Sequence, residues 1–118
     1  MILRVDHLDL VVEDVKAAAE LFEKLGFQEV RRIEHHGLAI EMRLPGEGQV
    51  TFEFHQVKEG AKPGLNHVAL LVDDCTATAA ELEAKGLSFE APPRVIPATG
   101  RTVCTLSDTV GCRVQFTQ

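Results

Sequence analysis

One unit occurs twice in this chain, and that repeat limits the folds open to it. Val5-Asp6-His7-Leu8-Asp9-Leu10-Val11-Val12 is a short apolar strand with a histidine near its start. Leu65-Asn66-His67-Val68-Ala69-Leu70-Leu71-Val72, 60 residues on, has the same form. Each copy is followed by an acidic pair, an alanine-rich helix and a glycine. At that offset the identities are His7/His67, Leu10/Leu70, Val12/Val72, Asp14/Asp74, Ala17/Ala77, Ala19/Ala79, Glu23/Glu83 and Gly26/Gly86. A histidine at the same place in both copies calls for a shared reason.

Alternation and helix signals fill in each unit. In the first strand Val5, His7, Asp9 and Val11 point one way and Asp6, Leu8, Leu10 and Val12 the other. Asp14 supplies an N-cap for a helix over about Val15 to Leu25. Its Val15, Ala18, Leu21, Phe22 and Leu25 recur at helical spacing, and Gly26 stops it. Strands are predicted over Phe27–Ile33, Leu38–Leu44 and Gln49–Val57. A polar tip at Glu34-His35-His36-Gly37 and a turn at Pro45-Gly46-Glu47-Gly48 separate them. After a linker from Lys58 to Gly64 the order repeats. A helix is predicted over about Cys75 to Lys85, then a short strand at Leu87–Glu90. Ala91-Pro92-Pro93 excludes central strand pairing, and Pro97 to Gly100 is another break. Strands at Arg101–Leu106 and Cys112–Thr117 flank a turn at Ser107-Asp108-Thr109-Val110-Gly111. Both units therefore read β-α-β-β-β, in an α+β chain read as one domain, 1–118, made of repeats at about 3–57 and 65–117.

Each unit's sheet has one face for its helix. The apolar sets Leu8/Leu10/Val12, Phe52/Phe54, Val68/Leu70/Val72 and Val114/Phe116 suit that face. The opposite face carries His7, Asp9, Thr51, Glu53, His55, His67, Arg113 and Gln115. A face this polar in so small a protein is either wet or a site.

Composition removes several classes of function. With 118 residues, 45% hydrophobic and 25% charged, the chain is an ordinary globular domain. A net charge of −6 argues against a nucleic-acid binder, which needs a basic face. No apolar run approaches the roughly 20 residues that span a bilayer. Met1-Ile2-Leu3-Arg4-Val5 runs directly into a strand without the form of a signal peptide, so a cytoplasmic location is expected. Cys75, Cys104 and Cys112 lack metal-knuckle spacing and fit reduced thiols. Trp and Tyr are absent, which weakens any stacking clamp.

Four residues stand at matching places on the polar face. His7 and His67 lie on the first strand of each unit; Glu53 and Gln115 lie on the last, each followed by Phe. Imidazole nitrogen with carboxylate or amide oxygen suits a borderline divalent cation.

These features, with Leu25-Gly26-Phe27, Phe52-Glu53-Phe54, Asn66-His67-Val68-Ala69 and the closing Ser107-Asp108-Thr109-Val110-Gly111-Cys112-Arg113-Val114-Gln115-Phe116, resemble the vicinal oxygen chelate superfamily over nearly the whole chain. That group includes glyoxalase I, methylmalonyl-CoA epimerase, fosfomycin- and bleomycin-resistance proteins and extradiol dioxygenases. The resemblance implies two paired β-α-β-β-β units forming a cupped mixed sheet around a metal, with helices on the outer face, and a homodimer. It implies His7, Glu53, His67 and Gln115 as ligands of a divalent ion (Zn, Ni, Co, Mn or Fe) that polarises a small-molecule substrate with adjacent oxygen groups. Gln115 departs from the pattern, since many family enzymes have Glu there; an amide can ligate but cannot be a base. Glu53 is then the one carboxylate in the set and the candidate base of a glyoxalase-like lyase or isomerase. An epimerisation needs a second acid–base group, for which Glu41 and His55 are the candidates. The other reading the resemblance carries is a drug-sequestering binding protein with no chemistry.

Simpler uses are expected for the remaining polar residues. His35 and His36 read as a solvated hairpin tip and His55 as strand-end solvation. Arg101 and Arg113 read as surface ion-pair partners, the cysteines as small core residues, and the helix alanines as packing. For Asp9 two uses stand open, orienting His7 or lining the pocket.

Overall fold

The structure, a computed structural model, describes residues 1–34, 36–107 and 110–118. His35 of the expected hairpin tip, and Asp108 and Thr109 of the expected turn, lie outside them. The elements are β1 (Ile2–Val12), α1 (Val15–Lys24), β2 (Gln28–Glu34), β3 (Leu38–Arg43), β4 (Thr51–Gln56), β5 (Gly64–Val72), α2 (Cys75–Ala84), β6 (Arg94–Val95), β7 (Thr102–Thr105) and β8 (Val114–Thr117). The α+β class and the duplicated β-α-β-β-β order are those expected. The chain groups into two compact units, His7–Asn66 and Met1–Asp6 with His67–Gln118.

In the unit His7–Asn66 the strand order is β2-β3-β4-β1. β1 and β4 run parallel, while β3 is antiparallel to both β4 and β2. A parallel pair needs a crossover between its strands; the β1–β4 crossover carries α1. Asp14 caps that helix by accepting from the Ala17 N–H at 3.0 Å, and the Val15 N–H donates to Gln56 Oε1 at 3.2 Å. Its end is a Schellman-type stop. Gly26 takes φ +98°, a region closed to most side chains, and the Phe27 N–H donates to the Phe22 carbonyl at 3.0 Å. Val15 and Ala19 of α1 are buried with Ile40, Met42 and Phe54. Phe22 meets Phe27, Phe52 and Phe54 at centroid distances of 4.9, 5.4 and 4.8 Å, within the range of favourable aromatic pairs. The apolar alternation predicted for β3 and β4 is therefore the helix-facing side.

The other unit repeats the scheme. Its strand order is β5-β8-β7-β6, with β5 and β8 parallel. Asp74 caps α2 through the Ala77 N–H at 2.8 Å, and the Cys75 N–H donates to Gln118 Oε1 at 2.9 Å. The core holds Val72, Cys75, Ala79, Cys104 and Phe116. The strand predicted at Leu87–Glu90 shrinks to a single bridge, Phe89 with Leu106, and the edge strand forms beyond the prolines at Arg94–Val95. Pro92 and Pro93 have no N–H to donate to a ladder, so pairing resumes only after them. Cys75 and Cys104 are the core residues expected; Cys112 is exposed, correcting its assignment to the core. Burial, chiefly, pushes the Cys104 thiol up to about 12, with Cys75 beside it adding to the shift, so both thiols stay protonated.

Candidate functional site

The polar face of the unit His7–Asn66 is built by register. Asp9 of β1 stands opposite Glu53 of β4, Glu53 opposite Glu41 of β3, and Glu41 opposite Arg31 of β2. Side chains directly opposite each other on one face lie within interaction range. The result is a row across four strands, Arg31–Glu41–Glu53–Asp9, ending on one cation and holding three carboxylates. Glu41, Asp9 and Glu53 are 1%, 3% and 6% exposed. Two histidines flank the row on the same face, His7 two residues before Asp9 and His55 two residues after Glu53.

Ionised carboxylates are rarely buried without compensation. Here Arg31 Nε donates to Glu41 Oε2 at 2.8 Å. His55 Nδ1 and Asp9 Oδ1 are 2.9 Å apart, and His55 Nε2 stands 3.4 Å from Glu53 Oε1. The other Glu53 oxygen, Oε2, stands 3.9 Å from His7 Nε2. Burial holds the Glu53 carboxyl above the usual carboxylate range. The imidazole of His7 works against that shift, while Asp9 and Glu41 add to it. For His55 burial favours the neutral ring, but the Asp9 hydrogen bond and the charges of Asp9, Glu53 and Glu41 together outweigh it and raise its pKa.

Of the four residues singled out in the sequence, His7 and Glu53 come together in this unit. His67 is buried on β5 and Gln115 lies half-buried on β8 of the other unit, where Gln115 pairs with Ala69 and Thr105. The row that reads Asp9–Glu53–Glu41 in one unit thus reads Ala69–Gln115–Thr105 in its counterpart, without a charge. Three contributors stand outside that set of four. His55 is hydrogen-bonded and mostly buried, not solvated at a strand end as expected. Asp9 stands on the polar face and meets His55 there. Arg31 carries no signal in the pattern of its strand. The face shared by His7, Asp9, Glu53 and His55 was the available clue. Arg113 pairs with Glu90 at the surface at 3.5 Å, the use expected of it.

The donor chemistry suits a divalent cation. Asp9, Glu53 and His55 each present a ligand atom within 4.8 Å of the others, and imidazole with carboxylate is the set that zinc and its first-row neighbours take.

The sequence profile of the Glyoxalase/Bleomycin resistance protein/Dioxygenase superfamily matches residues 4–116. The chain belongs to that superfamily. Within it, the vicinal oxygen chelate fold is also that of several solved structures. A selenomethionine methylmalonyl-CoA epimerase gives a TM-score of 0.84 at 21% identity, over 100% of this chain and 96% of that one. A Streptomyces coelicolor methylmalonyl-CoA epimerase variant in complex with 2-nitronate-propionyl-CoA gives 0.81 at 17%, over 99% and 97%. The Mycobacterium tuberculosis methylmalonyl-CoA epimerase gives 0.79 at 20%, over 98% and 87%. At such identities the likeness is one of fold. No curated protein sequence matches the chain. Among the described residues no helix is long and apolar enough to cross a membrane.

Proposed function

We propose that the protein is a divalent-metal-dependent isomerase of the glyoxalase type, moving a proton on a carbon next to a carbonyl group of a small molecule. The observation that carries this reading is the pair of buried carboxylates on facing strands, Glu53 and Glu41. Superfamily membership and the epimerase neighbours support chemistry of this class. The proposed metal ligands are His7 and Glu53 with His67 and Gln115, the positions that match between the repeats. When bound, the ion supplies positive charge against the negative charge that develops on the substrate oxygen.

The chain's own groups move the proton. Glu53 is the base. Burial raises its pKa in the metal-free protein, which narrows the gap to a carbon acid. Glu41 is the second acid–base group. Arg31 fixes the Glu41 carboxylate from the side away from Glu53, leaving the Glu53 side for exchange. His55, held by Asp9, places its Nε2 3.4 Å from Glu53 Oε1.

The test is proton exchange. Protein loaded in turn with Mn²⁺, Co²⁺, Ni²⁺ or Zn²⁺ is incubated in D₂O with methylmalonyl-CoA, the ligand of one structural neighbour, and with the hemithioacetal of a 2-oxoaldehyde. Mass spectrometry follows deuterium entering at carbon. Metal-dependent exchange that is lost in Glu53→Gln supports the reading. Absence of exchange with every metal, or exchange that survives Glu53→Gln, sinks it.

A further inference from the structure

We propose that His55, aimed by Asp9, is itself a ligand of the divalent ion beside Glu53, so that β4 provides an imidazole and a carboxylate two residues apart. This rests on the metal-dependent reading above and adds a residue to the set the repeat suggested.

The argument starts from the two ring nitrogens. His55 Nδ1 is 2.9 Å from Asp9 Oδ1. A carboxylate accepts, so Nδ1 carries the hydrogen, and the neutral ring then has its lone pair on Nε2. That nitrogen stands 3.4 Å from Glu53 Oε1. Two donors on one ion, each about 2.0–2.2 Å from it, stand roughly 3–3.5 Å apart. His55 Nε2 and Glu53 Oε1 therefore have the spacing of neighbouring ligands with no rotation of either side chain. A carboxylate behind the far nitrogen of a ligating histidine is the recurrent second layer of metal sites: it fixes the tautomer and makes the ring a better donor. Asp9, 3% exposed and directly opposite Glu53, occupies that position. On the other side of the same carboxylate, His7 Nε2 is 3.9 Å from Glu53 Oε2.

Solvation would leave the ring exposed, whereas its side chain is 17% exposed. A protonated ring donating to both Asp9 and Glu53 meets the same two distances without a metal, and the ¹⁵N measurement below separates the two: such a ring keeps hydrogen on both nitrogens when Zn²⁺ is added. The arrangement has no copy in the repeat. The positions matching Asp9 and His55 on β5 and β8 are Ala69 and Thr117, which offer no such pair. The symmetry of the two units therefore does not account for it.

The experiment is competitive titration of Zn²⁺ and Co²⁺ against a chromophoric chelator, on the metal-free wild type, His55→Gln and Asp9→Asn. The expected result is one ion per chain in the wild type, about 100-fold weaker binding in His55→Gln and about 10-fold weaker in Asp9→Asn. Because a substitution on this buried face can unfold the chain, side-chain ¹⁵N spectra of the wild type are a second measurement. On adding Zn²⁺, the Nε2 resonance of His55 should move to a metal-bound shift while Nδ1 stays protonated. Wild-type protein that binds neither ion overturns the metal-dependent reading itself. Wild-type binding with an undisturbed His55 resonance, or with unchanged affinity in a folded His55→Gln, leaves that reading intact and overturns this inference.

Discussion

Arg31→Met tests whether the carboxylate row depends on its one terminal cation. The substitution retains much of the aliphatic stem and removes the guanidinium 2.8 Å from Glu41. At an effective dielectric constant near 20 the direct attraction at that distance is roughly 6 kcal/mol. The net loss is smaller, because the variant no longer pays the desolvation of the guanidinium. Removing one partner of a buried pair usually costs about 3–5 kcal/mol. Arg31 is 34% exposed while Glu41 is 1% exposed, so solvent already screens one side and the loss falls to or below the bottom of that range, about 2–3 kcal/mol. For 118 residues, an unfolding entropy of about 2.1 cal/mol/K per residue totals roughly 0.25 kcal/mol/K, which converts the loss to a fall in Tm of about 8–12 °C. Calorimetry and urea unfolding at pH 7 and low salt would measure it, with Glu41→Gln and the double variant closing a cycle. The double variant should be more stable than the sum of the single losses predicts. A Tm within about 2 °C of wild type in Arg31→Met, or additive single losses, would refute the view that Arg31 compensates Glu41.

Three more outcomes follow from the same structure. Without metal, stability should decline from pH 4.5 through neutral pH. Glu53 and His55 both have folded pKa values raised above their ordinary 4.5 and 6.5, so the native state holds more protons and the stability present at low pH is lost as pH rises through the raised values; urea midpoints in EDTA that climb over this range would contradict this. Phe54→Ala, at a side chain 1% exposed between α1 and the sheet, should cost about 3–5 kcal/mol in the same assay. Thr117→Val should stabilise by about 1 kcal/mol, because the Thr117 hydroxyl is buried with no hydrogen-bond partner among the described residues; a lower Tm would show that the hydroxyl is satisfied.

The parts of the fold legible in sequence are those set by local chemistry and by period. Asp14 caps its helix as expected, Asp74 does the same at the matching place, and Gly26 and Gly86 end the helices with positive φ. The alternation in β1, β3 and β4 placed Leu10, Ile40 and Phe54 toward the helix and His7, Glu41 and Glu53 away from it. Contacts that depend on register were not legible. The alignment of Arg31 with Glu41 follows an irregularity in the β2–β3 ladder between Glu29 and Arg31, which no alternation count reveals. The Asp9–His55 contact is a diagonal one, set by the parallel offset of β1 and β4. Gln56 and Gln118 bond the first N–H of each helix at equivalent places, at the offset of 62 residues, not 60, that also relates Glu53 to Gln115; no alternation reveals that capping role.

That change of offset separates what the duplication preserves from what it does not. Caps, stops and the parallel first-to-last strand pair recur in both units, and each has a reason in folding alone. The polar face does not recur. At the register where one unit has Asp9, Glu53 and Glu41, the other has Ala69, Gln115 and Thr105; where one has His55, the other has Thr117. The neutral face shows that this scaffold folds without buried carboxylates. A row of three carboxylates then weakens the unit that carries it, since each raises the cost of ionising the next. Sites that trade stability for a preorganised charge pattern are where function is to be sought. On that ground the proton-transfer groups proposed above are sought in the unit His7–Asn66, where the carboxylates lie.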